Sequence, residues 1–182
     1  MRVIAGKFKQ MNIASPKAKN SMPTDNKVKE AVMDMLYPIY SDSKMLDLFS
    51  CTGQMGIEFL SRDISYVVFN EINKLNYKTL KENLSKTHVD NFKTYNNDFR
   101  KTLEILKDED IKFDYIYLDP PYKTDYVELS LKLILKYDLL NHIGKIITEM
   151  DRDLDFSEKF DNLELIKSKK YGRKIIKIYT IK

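Results

Sequence analysis

Five short apolar runs, each separated from the next by a segment of helical period, constrain this chain more than any other feature. KMLDLF (44–49), YVVFN (66–70), FKTYN (92–96), FDYIYL (113–118) and KIITEM (145–150) have the length and composition of strands. Between them, Leu80 and Leu84 follow Tyr77 at helical spacing, and Val127, Leu131, Ile134 and Leu135 form an i, i+4, i+7, i+8 stripe. Such stripes are core faces. Strands that alternate with helices become parallel neighbours joined by crossovers, and the crossovers cover both faces of the sheet. The expected architecture is therefore α/β, a doubly wound and mostly parallel sheet. After residue 150 the pattern changes. LELIKSKKYGRKIIKIYTI (163–181) holds two β-rich runs joined around Tyr171 and Gly172, the signature of a C-terminal antiparallel hairpin that brings the sheet to seven strands. At the other end MRVIAGKFKQMNI predicts a small β-ribbon. A helix is expected from Asn26 to Leu36, capped by Thr24 or Asp25 and stopped by Pro38.

At 182 residues, 43% of them hydrophobic, the chain has material for one core, so a single domain over 1–182 is expected. Within it, 1–40 form a ribbon and helix, and 41–182 the main sheet. Cys51 is the only cysteine, which excludes an internal disulfide, and no apolar run resembles a signal peptide or a membrane span. A cytoplasmic monomer is expected. Cys51, His88 and His142 stand far apart and outside any zinc-type spacing, so no metal is expected.

Charge is distributed unevenly. Residues 1–24 contain Arg2, Lys7, Lys9, Lys17 and Lys19 and no acid, giving +5; residues 165–182 contain seven basic residues and no acid. The net charge is +4, so the stretch between carries −8. Basic ends suit a polyanion and an acidic centre suits something else, which points to nucleic acid at the ends. Arg2, Lys7, Lys9 and Lys27 near the start, and Arg173 and Lys174 in the hairpin, are the candidate nucleic-acid contacts.

In an open parallel sheet ligands collect at the carboxyl ends of the strands, where strand order reverses. DLFSCTGQMGIE leaves the first strand with Asp47 and crosses a polar loop with Ser50, Thr52, Gly53 and Gly56. Two of the chain's five glycines within four residues suggest close backbone approach to a ligand. Glu71 ends the second strand, where an acid can accept from ribose hydroxyls. Asp98 follows the third, placed to meet an adenine edge while Phe99 packs on the ring. Three acids at three strand ends imply a nucleoside-like ligand. No GxGxxG or GxxxxGK[ST] is present, and a row of acids repels pyrophosphate. A ribose-bearing cation such as S-adenosylmethionine has the right character.

The fourth strand runs into Asp119, Pro120, Pro121 and Tyr122. DPPY here resembles the amino-methyltransferase signature [DNS]-PP-[YFW]. MRVIAGKFK, MPTDNKVKEA, DLFSCTGQMGIEFLSR, NEIN, LKENL, LDPPY and YGRKIIKIY together resemble, nearly end to end, the bacterial methyltransferases that modify a guanine N2 in 16S ribosomal RNA. The resemblance implies a Rossmann-like class I methyltransferase that uses S-adenosylmethionine, with ribosomal RNA or a small-subunit assembly particle as partner. It also implies that Asp119 and the Pro120 carbonyl accept the amine's two N–H groups, and that Tyr122 stacks on the target base. Methylation of another base amine, such as adenine N6 in DNA or RNA, is the alternative enzyme, and a non-catalytic RNA-binding assembly factor the alternative class. This chain departs from the family's usual residues at Cys51, Ala5 and Gln10, where glycine is usual, and at Met22, where arginine is usual. A positive φ at Cys51 would strain the cofactor loop by on the order of 1 kcal/mol or more.

Overall fold

The computed structural model describes residues 1–18, 25–121, 124–151 and 160–182. Its elements are α1 (Asn26–Leu36), β1 (Lys44–Asp47), α2 (Gln54–Leu60), β2 (Tyr66–Asn70), α3 (Lys74–Ser85), β3 (Phe92–Tyr95), α4 (Phe99–Asp108), β4 (Phe113–Leu118), α5 (Tyr126–Lys136), β5 (Leu140–Asp151), β6 (Leu163–Tyr171) and β7 (Lys174–Ile181). The strands form one sheet in the order β3-β2-β1-β4-β5-β7-β6. The first five are parallel, and β7 runs antiparallel to both β5 and β6. This is the expected α/β arrangement with its terminal hairpin.

Period-two alternation sorts the core into two layers. Met45, Val67 and Ile147 face α1, α2 and α3 through Val32, Ile57 and Leu80. Their neighbours Leu46, Val68 and Ile146 face α4 and α5 through Leu103 and Leu131. The strand order reverses at β1, whose neighbours are β2 and β4. Just past β1 the backbone divides its hydrogen bonds between them. Leu48 N donates to Tyr117 O on β4 (3.2 Å), and Ser50 N donates to Asn70 O on β2 (2.9 Å). That division ends β1 at Asp47, two residues before the apolar run ends. β5 in turn begins at Leu140, five residues before its apolar run, because Leu140 still pairs with Phe113 across an irregularity at Asp114.

At the start, Val3 N donates to Met11 O (3.1 Å) and Ile13 N to Met1 O (2.9 Å), so the expected ribbon is a tight loop with one bridge between Arg2 and Asn12. Asp25 caps α1 by accepting from Lys27 N (2.9 Å), while Thr24, the other candidate, lies outside the described residues. A buried ion pair stitches these pieces to α2. Lys29 and Glu58, both with fully buried side chains, meet at 3.1 Å. Lys29 Nζ also donates to Arg2 O (2.8 Å), Glu58 accepts from Ile4 N (2.9 Å), and Arg62 closes the cluster on Glu58 at 2.8 Å.

Candidate active site

A cleft of about 790 Å³ opens at the carboxyl ends of β1, β2 and β4, at the reversal of strand order. Asp47, Ser50, Glu71, Asp98, Phe99, Asp119, Pro120 and Pro121, all singled out from the sequence, lie along it. Tyr122 and Met22 fall outside the described residues.

Asp47 is 1% exposed. One carboxylate oxygen, Oδ2, accepts from Gly56 N (3.0 Å), while Oδ1 is buried with no partner among the described residues. Burial, opposed by the Gly56 N–H and reinforced by the charge of Glu71, pushes its pKa up to about 7. Gln54, 5% exposed on the first turn of α2, leaves Oε1 in the same condition. Two buried acceptors beside one cleft, both lacking donors, suit a cationic or N–H-bearing ligand. Glu71 is better provided for. Its Oε2 accepts from Cys51 N (2.9 Å) and its Oε1 from Asn73 N (2.6 Å), which partly offset the rise in pKa that burial causes.

Cys51 has φ 50°, the left-handed conformation in which glycine is unstrained. Gln10, the second residue where glycine is usual, has φ 71°. Both positions therefore keep a glycine geometry without a glycine, whereas Ala5 has no positive φ. The loop's actual glycines serve packing. A Cβ on Gly53, at φ 83°, would lie 2.4 Å from Leu80 Cδ1, and one on Gly56 would lie 2.1 Å from the Phe69 ring. Crowding by α3 explains the first and close approach of α2 to the sheet the second, and neither lines the cleft. Thr52 likewise faces inward, fully buried, with its carbonyl held by Asn83 Nδ2 (3.0 Å). Ser50 ties the strands together, donating to Asp47 O (2.6 Å) and accepting from Asn70 N (3.0 Å).

Asp98 caps α4 and chelates Arg100 through Nε (2.9 Å) and Nη2 (2.8 Å), so its carboxylate is occupied where an adenine contact was expected. Phe99 is 3% exposed and joins Phe49 (5.2 Å) and Tyr126 (5.1 Å) in an aromatic wall, with the Arg100 guanidinium 5.0 Å from its ring centroid. Asp119 is half-buried, Pro120 buried and Pro121 exposed, with the Pro121 carbonyl accepting from Thr124 Oγ1 (2.8 Å).

Sequence reasoning missed Gln54, Asn70, Tyr126 and Tyr117. The polar or aromatic character of the first two and Tyr126 carries no signal apart from the fold. Tyr117 is 2% exposed, and its hydroxyl donates to buried Glu149 Oε2 at 2.5 Å. Burial and that carboxylate raise its pKa well above the ordinary phenol range. Glu149 in turn pairs with Lys174. Lys174, expected as an RNA contact, is thus an internal counter-ion with its side chain 21% exposed. The other candidates divide. Arg173, Lys9 and Lys27 are exposed, Lys7 pairs with Asp63 (2.8 Å), and Arg2 donates to Asn12 (3.3 Å) and Gln10 (3.2 Å). The ribbon's turn is bonded to Ser61, the C-cap of α2, through Lys7 N (2.8 Å) and Phe8 N (2.9 Å). It therefore sits at the end of α2 away from the cleft.

A family profile described as conserved hypothetical protein 95 matches residues 1–180. The Bacillus subtilis protein YlbH is 32% identical over 180 residues, covering 98% of each chain. Ribosomal RNA small subunit methyltransferase D of Haemophilus influenzae is 28% identical over 98% of this chain and 93% of its own. Among solved structures, the Escherichia coli protein yhhF superposes with a TM-score of 0.87 at 22% identity, over 100% of this chain and 98% of that one. The fold is that of the class I methyltransferases.

Proposed function

The chain belongs to the conserved hypothetical protein 95 family, and from that premise we propose that it methylates the exocyclic N2 amine of a guanine in small-subunit ribosomal RNA, with S-adenosylmethionine as donor. The names of its relatives support ribosomal RNA as substrate. One observation carries the reading. The Asp119–Pro120 turn shares a cleft with the two donor-seeking oxygens of Asp47 and Gln54.

The residues fit the donor. Asp47 Oδ1 and Gln54 Oε1 are placed to accept from a cationic amino acid moiety, Glu71 closes the ribose side, and Phe99 with its aromatic neighbours forms an apolar wall beside them. When bound, S-adenosylmethionine supplies an electrophilic methyl carbon on a sulfonium. The Asp119 carboxylate and the Pro120 carbonyl accept the two N–H groups of the target amine. That contact withdraws the lone pair from conjugation with the guanine ring and aims it at the methyl carbon. On accepting the methyl group the amine would become cationic, and the N–H held by Asp119 is the proton it would shed. Tyr122 receives its stacking role from the motif's resemblance alone. Proline at 120 and 121 removes competing backbone donors from the turn.

The test is incubation with methyl-tritiated S-adenosylmethionine and either small-subunit ribosomal RNA or duplex DNA, followed by mass spectrometry of the nucleosides. N2-methylguanosine in the RNA is expected. Label in DNA adenine would replace this reading with the alternative enzyme. RNA binding without any label in either polymer would replace it with the assembly factor.

A further inference from the structure

The basic residues of the two chain ends fold to different places: the N-terminal stretch reaches the cleft wall at Ala18, while its ribbon turn with Lys7 and Lys9 docks elsewhere, and the C-terminal hairpin turn stands on the sheet edge from which Asp119 leaves β4. Lys174 opens β7 opposite Asp151, the last residue of β5. The Gly172–Arg173 turn therefore projects from the same sheet edge as Asp119 at the end of β4. One strand, β5, separates β4 from β7, and at about 4.8 Å per strand the turn lies roughly 10–15 Å along that edge. It is also rigidly tied to the cleft. Lys174 pairs with Glu149, Glu149 accepts from Tyr117, and Tyr117 lines the cleft wall.

The cations on this turn face water. Lys169, Lys170 and Arg173 are exposed, and none of them forms an ion pair with a carboxylate among the described residues, although the charge of Asp34 on α1 acts on Lys169. The Lys169 ammonium lies 5.3 Å from the Tyr171 ring centroid. The first described acid below them on the strand is Glu164. By contrast, the ribbon turn with Lys7 and Lys9 is bonded to Ser61, eight residues along α2 from Gly53, or roughly 12 Å down the helix axis.

We propose that the β6–β7 turn, through Lys169, Lys170 and Arg173, is the main phosphate-gripping surface for RNA, fixing the strand at a set distance from the catalytic cleft. The inference rests on the RNA reading above. Charge complementarity and position support RNA phosphates over a lipid surface, since the turn shares the sheet edge on which the cleft opens. Lysines on an edge strand also discourage sheet extension, and the test separates that role.

The probe is a fluorescein-labelled RNA stem-loop of twenty nucleotides, followed by anisotropy from 50 to 300 mM KCl with full-length protein. Three proteins are compared: wild type, Lys169→Gln/Lys170→Gln/Arg173→Gln, and Lys7→Gln/Lys9→Gln. In the turn variant the slope of log Kd against log salt should shrink by about 2, and affinity at 100 mM should fall at least tenfold. The ribbon variant should change less than twofold. A Lys169→Arg/Lys170→Arg variant should keep the wild-type slope, and melting curves should show all the variants folded. An unchanged slope in the turn variant overturns the proposal, and if that variant also aggregates on sedimentation, edge protection is the role instead. An equal loss in the ribbon variant overturns it too. Wild type that grips the probe with the expected slope but transfers no methyl group leaves this surface standing and removes the guanine-methylating reading.

Discussion

Asp47 is a carboxyl group placed where ionisation costs energy. Its pKa is raised from 3.8 to about 7 by burial, so the folded state holds a proton that the unfolded chain releases near pH 4. The sign follows from linkage: between about pH 4 and 7 the apo protein loses stability as pH rises, by on the order of 2–4 kcal/mol in total. Asp47→Asn should abolish that slope, giving a variant that melts higher than wild type at pH 8 yet binds S-adenosylmethionine at least tenfold more weakly. Thermal melts at pH 5 and 8 with calorimetric titration check both halves. Cys51→Gly tests the neighbouring strain. At φ 50° the change should stabilise by about 0.5–1 kcal/mol net, the relief of the side chain's strain exceeding glycine's extra unfolded-state entropy, and urea midpoints read it directly. Asp119→Ala should keep S-adenosylmethionine affinity within twofold while kcat falls by about 10²–10³, the size of loss seen when one transition-state contact is removed. Equal kcat in mutant and wild type would remove Asp119 from the chemistry. The acids at strand ends were legible in the sequence because strand ends are legible. Gly53 and Gly56 were legible as special positions but not for the right reason, because their crowding partners Leu80 and Phe69 arrive from elsewhere in the chain. Asp98 shows the same limit. Its Arg100 partner is two residues away, yet an adjacent base reads as an ordinary surface residue until the helix cap fixes both.

Elements with local signals were read correctly and those set by tertiary pairing were not. α1 runs from Asn26 to Leu36 as expected because Asp25 caps it and Pro38 forbids its continuation. β5 is 12 residues long although Asn141, His142 and Gly144 precede its apolar run, since pairing with β4 rather than propensity extends it. Lys29 and Glu58, charged residues on two helices, are fully buried and hold the ribbon, α1 and α2 together. Removing one partner leaves a buried, uncompensated charge. Glu58→Ala should therefore cost about 3–5 kcal/mol in urea unfolding, and Lys29→Met/Glu58→Met distinctly less than Glu58→Ala alone. Equal losses would mean that the pair acts only through the backbone groups it satisfies.

At the scale of the whole molecule, alternation of strands and helices was enough to place the cleft, because a doubly wound sheet gathers ligands where its order reverses. What alternation cannot say is where the basic turns of the chain land relative to that cleft. Two acid-free termini look equivalent on paper, and only the register of β7 on β5 and the docking of the ribbon on Ser61 distinguish them. A chain cut after Gly172 keeps β6 but loses β7, the strand that joins β6 to β5. It should lose its cooperative thermal transition, and differential scanning calorimetry is the check. The sheet order has a further consequence, which concerns time. Because β7 is made after β6 yet lies inside it, the β5 side of the sheet stays open while the ribosome is still extending the chain. Glu149 waits for Lys174 throughout that interval, and so does the Tyr117 wall of the cleft. The cleft side of the molecule is thus completed by β7, after every other strand has already been synthesised.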